Sequence, residues 1–91
     1  MIYLYVRQTV EDYGRWKEAF DTHLAARQAG GATTEAFVLR NVEDPSDIIV
    51  VLGWCNLAQA RLFTQSMSWQ QAFQQMGTVG LPEICFLEGV S

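Results

Sequence analysis

The sequence is poor in basic residues and in residues that bind metals. Its 91 residues include 6 Lys and Arg against 10 Asp and Glu, which gives a formal net charge of −4. Because nucleic acids and anionic membranes recruit clustered basic side chains, and none are clustered here, we expect neither as a partner. With 1 His and no HExxH, CxxC or other closely spaced ligand set, we also expect no metal site.

Long apolar runs, a secretion signal and abundant cysteine are missing as well. The longest apolar run, 48–54, has seven residues, against the roughly 20 that a membrane-spanning helix needs. The first residues lack a basic leader and a small-residue cleavage site. The two cysteines, Cys55 and Cys85, fit neither a zinc spacing nor a disulfide-rich framework, so we predict buried thiols. Together these features predict a soluble, cytoplasmic protein.

Hydrophobic residues, in contrast, are plentiful. They make up 49% of the chain, with aromatics at 12%. A chain of this length forms a single domain, 1–91, and buries only about 60 to 70% of its unfolded surface. We therefore expect association to cover part of the apolar surface.

The hydrophobic patterns predict an α+β protein. Strands are predicted at 2–8, 32–42, 48–55 and 83–88; helices are predicted from the N-cap Thr9 to about Gln28, from Asn56 to about Gln65, and from Ser68 to Met76. This βαββαβ order is the ferredoxin-like pattern, an antiparallel sheet in spatial order 4-1-3-2 with helices on one face. Strand 1 then separates Cys55 from Cys85 by roughly 9 to 10 Å, too far for a disulfide.

Strands 1 and 3 are apolar at odd and even positions alike. In an antiparallel sheet this pattern means that both faces are covered. Since the helices cover only one face, the same face of a second copy, related by a two-fold axis, is the simplest cover for the other. The sequence therefore predicts a homodimer.

Landmarks along nearly the whole chain support a family resemblance. They are Val10-Glu11-Asp12-Tyr13, Trp16, Phe20, His23, Arg27, Asp44-Pro45, Gly53-Trp54, Ala60, Phe63 and Gly77-Thr78-Val79-Gly80-Leu81-Pro82. This pattern resembles the dimeric α/β-barrel superfamily, in particular its small cyclase-like and antibiotic-biosynthesis-monooxygenase-like members. The resemblance implies a dimeric α/β barrel. Relatives include cofactor-free oxygenases, haem-degrading enzymes, isomerases and proteins without known activity.

The first strand departs from the haem-degrading relatives. Those proteins use an Asn on this strand with a Trp and a His in the second half of the chain. Here the strand offers Tyr3, Tyr5 and Arg7, and the single histidine is His23. We therefore expect no haem degradation and no cofactor.

His23 and Arg27 are the candidate catalytic residues. His23 follows Trp16 and Phe20 on or beside the apolar face of the first helix, where an imidazole can act as an acid or base. Arg27 lies four residues later and faces the same way, so the pair could orient an anionic or enolic ligand. Alternatively, both residues are structural, with Arg27 bound to a carboxylate such as Asp47 or Glu83.

Four aromatic residues are candidate ligand contacts. Tyr13, Trp16 and Trp54 either line an apolar pocket between helix and sheet or belong to the plain core. Tyr5 shares one face of strand 1 with Tyr3 and Arg7, and that face either lines a cavity or forms hydrogen bonds across the dimer.

Two functions follow. The first is binding of a small aromatic or polyketide-like molecule, with cofactor-independent monooxygenase-like or cyclase-like chemistry. The second is a non-catalytic dimeric binding or structural protein. Whether the chain is an enzyme stays open at this point, because its landmarks concern packing and turns.

Overall fold

The computed structural model describes residues 1–90, which form four strands and four helices. In chain order they are β1 Ile2–Val10, α1 Tyr13–Thr22, α2 Leu24–Ala29, β2 Ala32–Arg40, β3 Asp47–Trp54, α3 Leu57–Thr64, α4 Met67–Met76 and β4 Thr78–Glu88. The α+β fold and the βαββαβ order are confirmed, with each helical region divided into two helices. None of the helices in this part of the chain has the length and hydropathy that a membrane-spanning helix needs.

All four strands form one antiparallel sheet in the order β2-β3-β1-β4. This is the predicted order. Strand β1 is central, and its residue Ile2 lies opposite Trp54 of β3 and Glu88 of β4. The carboxyl-terminal strand therefore completes the sheet beside the first one.

Local hydrogen bonds set the helix boundaries, and two predicted caps were wrong. Strand β1 runs past Thr9, and the cap of α1 is Asp12, whose carboxylate accepts from the Arg15 amide at 3.3 Å. Likewise Ser66, not Ser68, caps α4 and accepts from the Trp69 amide at 3.2 Å. In both cases a polar residue two or three positions away from the predicted cap accepts a hydrogen bond from a free amide of the first turn.

The cap of α3 is the predicted one. Asn56 accepts from the Gln59 amide at 2.8 Å. At the other end of the helical layer, α4 stops at Gly77, which has a left-handed backbone with φ of 67°. Both features were readable from sequence because Asn and Gly have strong preferences for these positions.

The helices cover one face of the sheet and enclose the core. Its buried side chains are Leu4, Val6, Val10, Trp16, Phe20, Ile48, Val50, Leu52, Trp54, Ala60, Phe63, Ala72 and Met76. Within α1, Trp16 stacks on Phe20, and between the layers Trp54 of β3 packs against Phe63 of α3, each pair with ring centroids 5.0 Å apart. The helix-facing side of the sheet is therefore well packed.

The other face of the sheet carries no helix. Directly opposite residues of paired strands share a face, and the pairing places these side chains there: Tyr3, Tyr5, Arg7, Phe37, Leu39, Ile49, Val51, Cys85 and Leu87. We call this set the open face. Phe37 and Leu39 are each 54% exposed, so the open face is largely apolar, and its charged side chains include Arg7 and, opposite it on β4, Glu83.

The prediction of buried thiols was wrong. Cys55 and Cys85 are both exposed, and neither forms a disulfide within residues 1–90. Cys55 lies just beyond the end of β3, whereas Cys85 lies on the open face opposite Tyr5. Strand β1 separates the two cysteines, as the topology required.

Candidate functional site

A cavity lies between the helical layer and the sheet. Its interior volume is about 40 Å³, and the empty space reaches about 430 Å³ when the part that is open to solvent is counted. Its walls are formed by Val6, Gln8, Phe20, His23, Arg27, Val50, Leu52, Phe63, Ser68, Trp69, Ala72, Phe73 and Met76. Most of these side chains are apolar or aromatic. An apolar cleft with a few polar groups is the usual form of a small-molecule site.

Arg27 is the charged residue of this cavity. Arg27 is 6% exposed, and its guanidinium carbon lies 3.9 Å from the centre of the Phe20 ring. Nη1 donates to the Phe20 carbonyl oxygen at 2.6 Å, and no salt bridge to Arg27 is found within residues 1–90. Desolvation by burial lowers the pKa of Arg27 from its usual value, and nearby Asp21 opposes that shift only in part.

From the sequence, Asp47 and Glu83 are candidate structural partners of Arg27. Within residues 1–90 Arg27 bonds neither of them. Asp47 instead binds Arg7, with distances of 2.8 and 3.1 Å, and also accepts from Asn41 at 3.0 Å. These hydrogen bonds and the Arg7 charge hold the pKa of Asp47 below its usual range. Arg27 is thus a buried cation whose carboxylate partner is missing from residues 1–90, which leaves it able to bind an anionic ligand.

His23 lies at the junction of α1 and α2, where the long predicted helix is divided. Its backbone amide bonds the carbonyl oxygens of Ala19 and Phe20, and its side chain lines the cavity. Ring nitrogen Nε2 lies 2.8 Å from Oε1 of Gln75 on α4. In the tautomer that carries its proton on Nε2, this nitrogen donates to Oε1 and Nδ1 is the nitrogen that can accept a proton.

Gln8 is the third polar group of the cavity wall. It lies on β1 between Val6 and Val10, is 6% exposed, and faces the helices. Its Oε1 is buried without a hydrogen-bond partner in residues 1–90. Arg27 and His23 together with Gln8 therefore bring a cation, a potential base and an acceptor to one aromatic cavity.

The predicted ligand-contacting aromatics lie elsewhere. Trp16 and Trp54 are 0% exposed, and neither is part of the cavity wall. The indole of Trp54 donates to the Gly30 carbonyl oxygen at 3.2 Å. Tyr13 borders a separate shallow cleft beside Arg40. The predicted ligand-binding role of these three residues remains a prediction, and their placement in this structure gives it no support.

Tyr5 lies on the open face, on the opposite side of the sheet from the cavity. Its neighbour Tyr3 donates to the Glu35 carboxylate at 3.1 Å, and that bond raises the pKa of Tyr3. Arg7 completes the row, and its bond to Asp47 raises the pKa of Arg7. In this chain Tyr5 therefore belongs to the sheet surface that we predicted to meet a second copy.

Sequence reasoning missed Gln8, Trp69 and Phe73 as wall residues. The signal for Gln8 was available, because it is the single polar residue in the alternating apolar row of β1. Trp69 and Phe73 lie one turn apart on α4, with ring centroids separated by 4.6 Å. Their period fits a helix face, but it does not reveal that the face borders a cavity.

Comparison with solved structures shows proteins of the same fold. A protein from Bordetella bronchiseptica assigned to the antibiotic biosynthesis monooxygenases matches with a TM-score of 0.84 and 14% identity, covering 99% of this chain and 97% of that one. SnoaB, a cofactor-independent oxygenase from Streptomyces nogalater, matches with a TM-score of 0.77 and 14% identity, covering 99% and 93%. A Caulobacter crescentus protein with the same assignment as the first reaches 0.76 and 16%, covering 99% and 90%.

Comparison of the sequence alone, in contrast, gives no match. No family model matches the chain, and no curated protein matches it. At identities of 14 to 16% the structural matches establish architecture. The chain therefore has the same ferredoxin-like α+β fold as these solved structures.

Proposed function

We propose that this protein binds a small aromatic or polyketide-like molecule in the cavity and acts on it without a cofactor, as a monooxygenase-like or cyclase-like enzyme. The observation that carries the proposal is the buried guanidinium of Arg27, which faces an aromatic cavity and has no carboxylate partner within residues 1–90. A phenolate or enolate would supply the missing negative charge. The fold shared with SnoaB, a cofactor-independent oxygenase, adds support.

In this proposal Arg27 binds the anion and His23 creates it. Both chemistries pass through the anion of the substrate, so both need a base and a cation close together. Nδ1 of His23 accepts the proton, while the Gln75 bond at Nε2 holds the ring in orientation. Arg27 stabilises the resulting oxyanion, and Phe20, Trp69 and the other aromatic wall residues bind the ring system.

A non-catalytic binding protein is the second candidate. The bond between His23 and Gln75 favours it, because this contact ties the α1–α2 junction to α4 and so has a structural use. Under this hypothesis the cavity still binds a ligand, but His23 does not take part in a reaction. Turnover measurements separate the two candidates.

We also propose that the protein is a homodimer formed through the open face. Strands β1 and β3 contribute apolar residues to that face as well as to the core, and Phe37, Leu39 and Leu87 are each more than 40% exposed. An apolar sheet surface in water is unfavourable, and a second copy of the same surface would remove it from solvent.

The proposed function predicts separate effects for two substitutions. Oxygen uptake and product formation are measured with a panel of phenols, naphthols and 1,3-diketones. We expect His23→Ala to bind ligand normally and to lose kcat by about 10²- to 10⁴-fold, because the base is removed. We expect Arg27→Met to weaken binding of anionic ligands at least about tenfold, because a charge-assisted hydrogen bond is lost.

Arg61→Met, at an exposed arginine outside the cavity wall, is the matched control and should behave as wild type. Circular dichroism spectra confirm that each variant folds. Normal turnover in His23→Ala would show that His23 is not the base, and absence of turnover in the wild-type protein with every compound would leave only the binding protein. Normal anion binding in Arg27→Met would remove the site from this cavity altogether.

A further inference from the structure

Gln8 occupies a position where an apolar side chain would be the stable choice. The other helix-facing residues of β1 are Ile2, Leu4, Val6 and Val10. Oε1 of Gln8 is buried and has no partner in residues 1–90, although the residue is only 6% exposed. Native proteins seldom keep a buried amide oxygen unpaired, because it loses its hydrogen bonds to water and gains nothing in return. The indole Nε1 of Trp16 is also buried without a partner in residues 1–90, but Gln8 differs from it in lining the cavity, where a ligand can supply the missing donor.

The sheet is irregular beside Gln8. Arg7 pairs with Glu83 of β4, and Thr9 pairs with Val79. Between these two pairs β4 has three residues, 80–82, where β1 has only Gln8. Gln8 itself therefore has no residue opposite it on β4. Bulges of this kind often lie next to binding sites, where they redirect a side chain. On its other side Gln8 pairs regularly with Ile48 of β3, so the irregularity is confined to the edge that faces β4.

We propose that Gln8 is a ligand-recognition residue whose Oε1 accepts a hydrogen bond from a neutral hydroxyl group of the ligand. This inference rests on the proposed function, since it uses the same cavity. Arg27 would hold one oxygen of the ligand as an anion, and Gln8 would bind a second oxygen that keeps its proton. The substrate class is thereby narrowed to aromatic diols and hydroxy-ketones in their enol form.

Ligand pairs that differ in one hydroxyl group test this. The probes are 1,3-dihydroxynaphthalene and its two monomethyl ethers, each of which retains one ionisable hydroxyl for Arg27. Dissociation constants are measured by ligand-observed NMR titration. We expect the wild-type protein to bind the diol about tenfold more tightly than at least one of the ethers, the value of one hydrogen bond. A wild-type protein that binds all three equally would overturn the inference before any variant is made.

The variant Gln8→Met tests whether Gln8 causes the preference for the diol over its ethers. We expect the diol-to-ether ratio to fall close to one, with the ethers bound as tightly as before. The Tm should rise by roughly 5 °C, because an unpaired buried acceptor is replaced by an apolar group of similar length. A purely structural Gln8 would give the opposite shift in Tm. Gln74→Met, an exposed glutamine on the same helix as the wall residue Phe73, is the control and should leave both quantities unchanged.

The outcomes separate the two proposals. If neither the diol nor the ethers bind to the wild-type protein, the proposed function and this inference fail together. If all three bind and the diol preference persists in Gln8→Met, the cavity is a binding site and only the role of Gln8 is wrong.

Discussion

Buried polar side chains on the two sides of the sheet differ in how their hydrogen-bonding capacity is used. Beside the open face, the Asp47 carboxylate accepts hydrogen bonds from Arg7 and from Asn41. In the cavity, Gln8 Oε1 has no partner in residues 1–90, and Arg27 bonds only one carbonyl oxygen there. The paired groups hold the fold together, whereas the two groups that line the cavity keep hydrogen-bonding capacity for a ligand.

The Asp47 network predicts a pH-dependent stability. Because the native pKa of Asp47 is below its ordinary value, its contribution is complete above that ordinary value, near 3.8. The contribution is lost as the pH falls through the native pKa, when the carboxylate is protonated and its bonds to Arg7 and Asn41 weaken. Urea unfolding between pH 6 and pH 3 should therefore show a smaller loss of stability in Asp47→Asn than in wild type.

Glu43→Gln, at an exposed carboxylate in the β2–β3 connection, should retain the pH dependence of the wild-type protein. Equal slopes for wild type and Asp47→Asn would mean that the Arg7 pair adds nothing in solution, as is common for pairs with one exposed partner.

Part of the candidate site could be read from the sequence. His23 and Arg27 were recognisable because they follow the apolar face of one helix at a spacing of four residues, and the structure brings both to the cavity wall. Trp16 and Trp54 look equally suitable by residue type, yet they fill the core. Periodicity reports which face of an element is buried, but it does not distinguish packing from the border of a cavity.

At the scale of elements, the junctions decide how the helical layer sits on the sheet. Between α2 and β2, Gly31 has φ of 113°, and its carbonyl oxygen accepts from the Cys55 amide at 2.9 Å. A Cβ at Gly31 would lie 2.5 Å from the Gln59 side chain and 3.1 Å from Nε1 of the buried Trp54. Two physical reasons therefore require glycine here, backbone conformation and space.

Gly31→Ala and Gly80→Ala separate these two reasons. Gly80 also has positive φ, 72°, but nothing lies within 4 Å of a Cβ built there. We expect Gly80→Ala to cost about 1 kcal/mol from backbone strain alone, and Gly31→Ala to cost about 2 to 3 kcal/mol, because crowding adds to strain. Guanidinium unfolding of both variants measures the difference. Equal costs would show that the Gln59 side chain moves away freely.

Element types and their order were predictable, whereas several boundaries were not. Strand β4 begins at Thr78, five residues before the predicted start, because it continues through an irregularity that contains Gly80 and Pro82. Both residues normally signal a turn. Similarly, Asp12 replaced Thr9 as a cap because β1 extends to Val10, whose amide bonds the Ser46 carbonyl oxygen at 2.9 Å. Contacts between distant segments overrode these local signals.

At the scale of the whole molecule, the open face predicts the state of association. Val51 lies near its middle, opposite Tyr5 on β1 and Phe37 on β2. We expect native mass spectrometry of the wild-type protein to show two chains of 10.3 kDa each. We expect Val51→Asp to be monomeric and folded, because a charge buried in the proposed interface would lose its hydration.

Leu62→Asp is the matched control, since Leu62 is 68% exposed on α3, away from the open face. This variant should remain dimeric. A monomeric wild-type protein at micromolar concentration would contradict the dimer proposal and would leave the apolar open face for another partner.

The central position of β1 has a consequence for the order of folding. Its two neighbours in the sheet, β3 and β4, begin only at residues 47 and 78. Ile2 reaches its partner Glu88 only when almost the whole chain is available. Contacts between such distant residues slow folding, because a long loop must close before they form. Pairing with β3 can protect one edge of β1, but the other edge stays open to aggregation until β4 joins the sheet.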